Sequence, residues 1–80
     1  MHSVNQKTIV KVALSPDGAL LAAAFDDYTI HVWDVGTQEE LGGELYGHSD
    51  VITDLRFSPD GRLLISSSRD GTIHLWGVPY

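Results

Sequence analysis

Ser15-Pro16-Asp17-Gly18 returns as Ser58-Pro59-Asp60-Gly61, 43 residues further along the chain. The segments C-terminal to the two tetrapeptides match as well. Thr29-Ile30-His31 recurs as Thr72-Ile73-His74, and Trp33 recurs as Trp76. At this offset residues 10–35 and 53–78 agree at 12 of 26 positions. A long fixed period marks one supersecondary unit laid against copies of itself, because such a unit cannot bury its apolar faces alone. The tetrapeptide also fixes local structure. Proline presets φ, aspartate bonds nearby backbone, and glycine accepts φ > 0, so each copy predicts a tight turn.

On either side of the two turns, the chain reads as short strands. Residues 9–14 begin with a β-branched pair and alternate in part, and 19–25 form an apolar run of strand length. Residues 29–35 are rich in β-branched and aromatic side chains. A weaker fourth strand over 40–46 is interrupted by Gly42-Gly43, as suits a sheet edge. The second unit repeats the plan at 51–57, 63–68 and 72–78, then reaches Pro79-Tyr80 with no fourth strand. The pattern contains no helical period. The expected fold class is therefore all-β, with four antiparallel strands in a first unit (1–46) and three in a second (47–80).

Composition narrows the function classes. Net charge is −6, and the five basic residues, Lys7, Lys11, Arg56, Arg62 and Arg69, form no run. Binding to a phosphate backbone needs clustered Lys and Arg, so a nucleic-acid partner is not expected. Cysteine is absent, which removes disulfides and thiolate metal sites and fits a reducing compartment. The N-terminus lacks the apolar core of a secretory signal, and the longest apolar stretch, 19–25, is too short to span a bilayer. No membrane association and a cytoplasmic or nuclear location are expected.

Gly47-His48, then SPDG, then Asp70-Gly71-Thr72-Ile73-His74-Leu75-Trp76 resemble a WD repeat, and the period lies within the roughly 40–45 residues of that family. The first unit carries the Trp-Asp pair itself, Trp33-Asp34, whereas the second reads Trp76-Gly77. The resemblance covers most of residues 9–78. It implies two WD-type blades of a β-propeller, a closed ring of about 4–8 four-stranded blades, the second blade lacking its outer strand. It also implies a non-catalytic scaffold for protein–protein interaction. The alternative is a self-assembling homo-oligomeric propeller with lectin-like or other ligand binding.

The resemblance further assigns His48, Ser66, Asp70 and Trp76 to an internal hydrogen-bond network. Chemically this is sensible: a buried indole N–H wants an acceptor, serine both donates and accepts, and His48 can donate to Asp70. In the first unit Asp27 and Trp33 remain, but Asn5 replaces the histidine and Ala23 the serine. The set Ser66, His48 and Asp70 also spells a hydrolase triad. A triad needs an exposed nucleophile on a strained turn with an oxyanion hole, and Ser66 instead lies within an apolar strand. No catalytic residue is expected. His31 and His74 occupy equivalent places, but no close His or Cys spacing supports a metal site, and both rings are expected to pack between units. Asp17 and Asp60 supply one carboxylate per turn, far short of a calcium shell. No metal or cofactor is expected.

Loops on a rigid scaffold are where such a protein binds. Those before the first strand of each unit and between its second and third strands are expected to share one face. That face would carry Lys7, Asp26, Tyr28, Asp50 and Arg69, a charged and aromatic set suited to a protein or peptide partner. Two units leave an open wedge, so further WD-type blades are expected either in cis, from a longer chain, or in trans, from other copies.

Overall fold

The computed structural model describes residues 8–78. Seven strands are formed in chain order: β1 (Ile9–Leu14), β2 (Leu20–Phe25), β3 (Ile30–Asp34), β4 (Glu40–Leu45), β5 (Ile52–Phe57), β6 (Leu63–Ser68) and β7 (Ile73–Gly77). No helix occurs among the described residues, so none is long and apolar enough to cross a membrane. The strands make two antiparallel meanders, β1-β2-β3-β4 and β5-β6-β7. The all-β class and the four-plus-three strand division expected from the sequence are thus the observed architecture, as two blades of a β-propeller would give.

The two SPDG turns close the β1–β2 and β5–β6 hairpins with matching bonds. In the first, Ser15 Oγ donates to Asp17 Oδ1 at 2.7 Å and accepts from the Leu20 amide at 3.0 Å, while the Ala19 amide donates to Asp17 at 3.0 Å. In the second, Ser58 Oγ donates to Asp60 Oδ1 at 2.6 Å and accepts from the Leu63 amide at 3.1 Å, while the Arg62 amide donates to Asp60 at 3.0 Å. The serine bonds hold both carboxyls below their ordinary range, and the amide bonds reinforce them. The carboxylates are thereby employed in turn formation. A repeated irregularity accompanies the repeated turns: a bulge between Ile9 and Lys11 has its counterpart between Ile52 and Asp54.

Strand alternation gives each sheet two different faces. On the first sheet, Leu20, Ala22, Ala24, Ile30 and Val32 point one way, and Leu21, Ala23, Phe25, His31 and Trp33 the other, as the β2–β3 register requires. The former set joins Ile52, Leu55 and Leu64 of the second sheet in one core, with Phe57, Trp76 and Val78 packed against it. The sheets therefore stack unlike face on unlike face, with β1 and β2 beside β5. Small residues, Ala22 and Ala24, allow the close approach; both are fully buried.

Candidate functional site

Two ends of the stacked sheets differ in character. At one end the SPDG turns flank a cleft of about 640 Å³ lined by Ser15, Asp17, Asp34, Pro59, Asp60 and Arg62. At the other end, the lead into each sheet is tied to its second hairpin. The Asp26 amide donates to the Thr8 carbonyl at 2.9 Å, and the Thr8 amide donates back to Asp26 Oδ1 at 3.2 Å. In the second sheet the Arg69 amide donates to the Val51 carbonyl at 2.9 Å, and Ser68 Oγ donates to the Asp50 carbonyl at 3.1 Å. These ties bring Asp26 and Tyr28, and separately Asp50 and Arg69, to the loop end of their sheets. Lys7 lies outside the described residues.

Tyr28 is the unusual member of this end. Its φ is +74°, and it stands at the position of Gly71, whose φ is +88°. A left-handed backbone costs glycine nothing and a bulky aromatic roughly 1–2 kcal/mol. The turn accepts that strain with the Tyr28 side chain exposed.

Beneath the loop end of the second sheet runs a chain of polar groups. Trp76 Nε1–H donates to Ser66 Oγ at 2.9 Å, and Ser66 Oγ lies 2.7 Å from His48 Nε2. His48 Nδ1 lies 3.1 Å from Thr72 Oγ1, and the Thr72 hydroxyl donates to Asp70 Oδ1 at 2.5 Å. One assignment of protons satisfies every link: Ser66 donates to Nε2 of a neutral imidazole, whose Nδ1–H donates to Thr72. Burial holds His48 below its ordinary value of 6.5, the neighbouring His74 adds to this, and Asp70 opposes it. Asp70 in turn accepts from the Ser49 amide at 2.7 Å and from the Thr72 amide at 2.9 Å. Led by the Ser49 bond, these donors hold its carboxyl far below the usual range.

The structure thus brings His48, Ser66, Asp70 and Trp76 into one connected set and adds two members that sequence reasoning passed over. Thr72 is the nearer partner of His48, with Asp70 at 3.7 Å behind it. Ser49 anchors Asp70 chiefly through its backbone. A threonine two residues after the aspartate occurs in both units, Asp27-x-Thr29 and Asp70-x-Thr72, and that spacing was the available signal. The first unit keeps this half: Thr29 Oγ1 donates to Asp27 Oδ1 at 2.5 Å.

Where the first unit lacks the serine, it substitutes aromatic packing. His31 stacks on Trp33 with centroids 5.7 Å apart, and Phe25 meets the His31 ring edge-on at 5.1 Å. In the second unit His74 stacks on Trp76 at 5.2 Å, and His48 meets the His74 ring edge-on at 4.4 Å. Phe25 therefore supplies the edge contact that His48 supplies in the second unit. Each ring stacks on the tryptophan of its own unit, His74 on the face of the second sheet that is turned to the first. His31 also reaches outward along its own sheet, with Nδ1 2.6 Å from Glu40 and Nε2 3.3 Å from Glu44, the latter without hydrogen-bond alignment.

Chemically, the polar chain is a brace. Ser66 is fully buried, and its oxygen is already engaged by the indole and the imidazole. Comparison with known proteins agrees with the fold. A probable serine/threonine-protein kinase, PkwA, of Thermomonospora curvata is 52% identical over 56 residues, covering 61% of this chain. The chain spans only 7% of that protein's length. The family model described as WD domain, G-beta repeat matches residues 2–34 and 39–77, each match holding one SPDG turn and one Trp. With nearly the whole chain matched in two consecutive copies, the chain belongs to the WD-repeat family.

Proposed function

We propose that the chain acts as a non-catalytic protein-interaction element, binding a protein or peptide partner through the loop end that carries Asp26, Tyr28, Asp50 and Arg69. WD repeats in general serve protein–protein interaction, and that coarser role comes with the family. The finer reading rests on Tyr28. An exposed aromatic held at φ +74°, in a turn where the sister unit uses glycine, keeps a strained backbone for a side chain left open to solvent. Tyrosine is among the residues that dominate binding energy at interfaces, and Arg69 belongs to the same class.

The non-catalytic part is supported by Ser66, whose hydroxyl is committed to bracing. The kinase activity in the relative's name is not carried to this chain, because the matched region is a small repeat-bearing part of that protein. A cytoplasmic or nuclear location belongs to the same proposal and rests on the lack of cysteine.

The test is capture from a peptide library on immobilised protein, repeated with Tyr28→Gly and Arg69→Ala. We expect peptides to be retained and each substitution to weaken retention tenfold or more, with circular dichroism unchanged. Retention that ignores both substitutions, or the absence of any retained peptide, would refute the loop-end reading.

A further inference from the structure

The join between the two sheets exists once inside the chain, yet the chain presents both of its halves a second time. One half is the face of the first sheet carrying Leu20, Ile30 and Val32. Its counterparts, 43 residues on, are Leu63, Ile73 and Leu75 on the outer side of the second sheet. The other half is the face of the second sheet carrying Ile52, Leu55 and Trp76, whose counterparts are Ile9, Val12 and Trp33 on the outer side of the first sheet. The exposures invert accordingly. Ile30 is 0% exposed and Ile73 69%; Leu55 is 4% exposed and Val12 59%. Ile9, Leu14 and Leu75 are likewise bare.

We propose that a second copy of this chain seats its Ile73–Leu75 face on the Ile9–Val12–Trp33 face of the first, repeating the internal join between molecules. Such a contact continues an interface the chain already makes. The same strand positions, with the same or closely similar apolar residues, meet their partners in one place and lack them in the other. Burial of such side chains is favourable in proportion to the area removed from water. The match has three polar departures: Thr53, Arg56 and Ser67 stand where Val10, Ala13 and Ala24 pack; Arg56 is held by Asp54 at 3.0 Å, and the Thr53 and Ser67 hydroxyls lie 3.3 Å apart. The apolar contact therefore centres on β6 and β7. Because the two faces differ, the association is head-to-tail: each added copy leaves one unused face at either end, and growth stops only when a ring closes. Association of this kind is independent of loop-end binding.

Sedimentation of the full chain across a wide concentration range tests it. The expected mass is a multiple of the 8.8 kDa chain, with Trp33 fluorescence shifting to the blue as association buries it. Leu75→Asp and Val12→Asp alter exposed positions and should each give a folded monomer. Mixed together, the two should form a one-to-one dimer and nothing larger, since each retains the face the other has lost. The milder Leu75→Gln should raise the dissociation constant at least tenfold, and Tyr28→Gly should leave the mass unchanged. A monomer at every concentration would overturn the proposal. So would unaltered mass in either Asp variant, or a dimer formed by one Asp variant alone.

Discussion

Trp76 and Ser66 are joined by an indole N–H donating to a buried hydroxyl at 2.9 Å, across the β6–β7 pair where Ser66 faces His74 and Leu64 faces Trp76. Replacing Ser66 by Ala removes the oxygen that serves both the indole and the imidazole. Two polar atoms then lose their partner, while the methyl group still fits the space. The cost of leaving a buried partner unsatisfied is about 1–3 kcal/mol. Urea denaturation of Ser66→Ala should show a lower midpoint with an unchanged slope. A variant as stable as the parent would show that the brace contributes nothing.

Acid should unfold the protein in two stages. His48 titrates in the folded state below its ordinary 6.5. The unfolded chain therefore binds this proton first, and stability falls as pH drops below about 6.5. Asp17, Asp60 and Asp70 titrate in the folded state below their ordinary 3.8. Their contribution is whole above about pH 4 and is lost as pH falls further. Thermal melts at fixed protein concentration should be level above about pH 7 and decline in both windows. His48→Gln should lower stability at neutral pH and flatten the upper decline. An upper decline that survives in His48→Gln would assign it to another group.

The turns and their consequences were legible in the sequence because they are local. Ser, Asp and Gly within four residues specify their own bonds, and one repeat vouches for the other. Parity within a strand was equally legible, and it places His31 and Trp33 on one face. What the sequence concealed depends on register or on backbone groups. His31 reaches Glu40 and Glu44 because the β3–β4 pairing shifts between Ile30 and Val32, and no side chain announces that shift. Ser49 holds Asp70 through an amide that almost any residue would supply. The equivalence of His31 and His74 is plain in the repeat and points to the space between units. What the repeat did not announce is that each ring also stacks on the tryptophan two residues along its own strand, a partner on the same face of the same sheet.

Tyr28→Gly should stabilise the fold while weakening partner capture. Glycine relieves the left-handed strain of roughly 1–2 kcal/mol but raises the entropy of the unfolded chain by about 0.4–1 kcal/mol, so the net gain is on the order of 0.5–1 kcal/mol. The side chain is exposed, so its loss removes little from the core. The reciprocal change, Gly71→Tyr, should destabilise by a similar amount, since it imposes the same strain at φ +88°. Chemical denaturation of the two variants checks the pair. Shifts of the same sign in both would show that the backbone conformation is not what separates them.

Gly47 precedes the brace, and its α-carbon lies against the stacked rings of the second unit. A methyl group built there would stand 3.0 Å from the His74 ring carbon Cε1 and 3.2 Å from Cη2 at the far edge of the Trp76 indole. Both rings are fixed, His74 between His48 and Trp76, and Trp76 by its bond to Ser66. Neither can swing aside without breaking a contact, so the backbone at Gly47 must move and take His48 with it. Overpacking of this kind costs about 1–3 kcal/mol. Gly47→Ala should therefore lower the urea midpoint. Because the displacement reaches His48, it should also weaken the upper acid stage. Adding Ser66→Ala to Gly47→Ala should cost less than the sum of the two, since both disturb the same rings. Full additivity in that double-mutant cycle would mean that the glycine and the brace are independent.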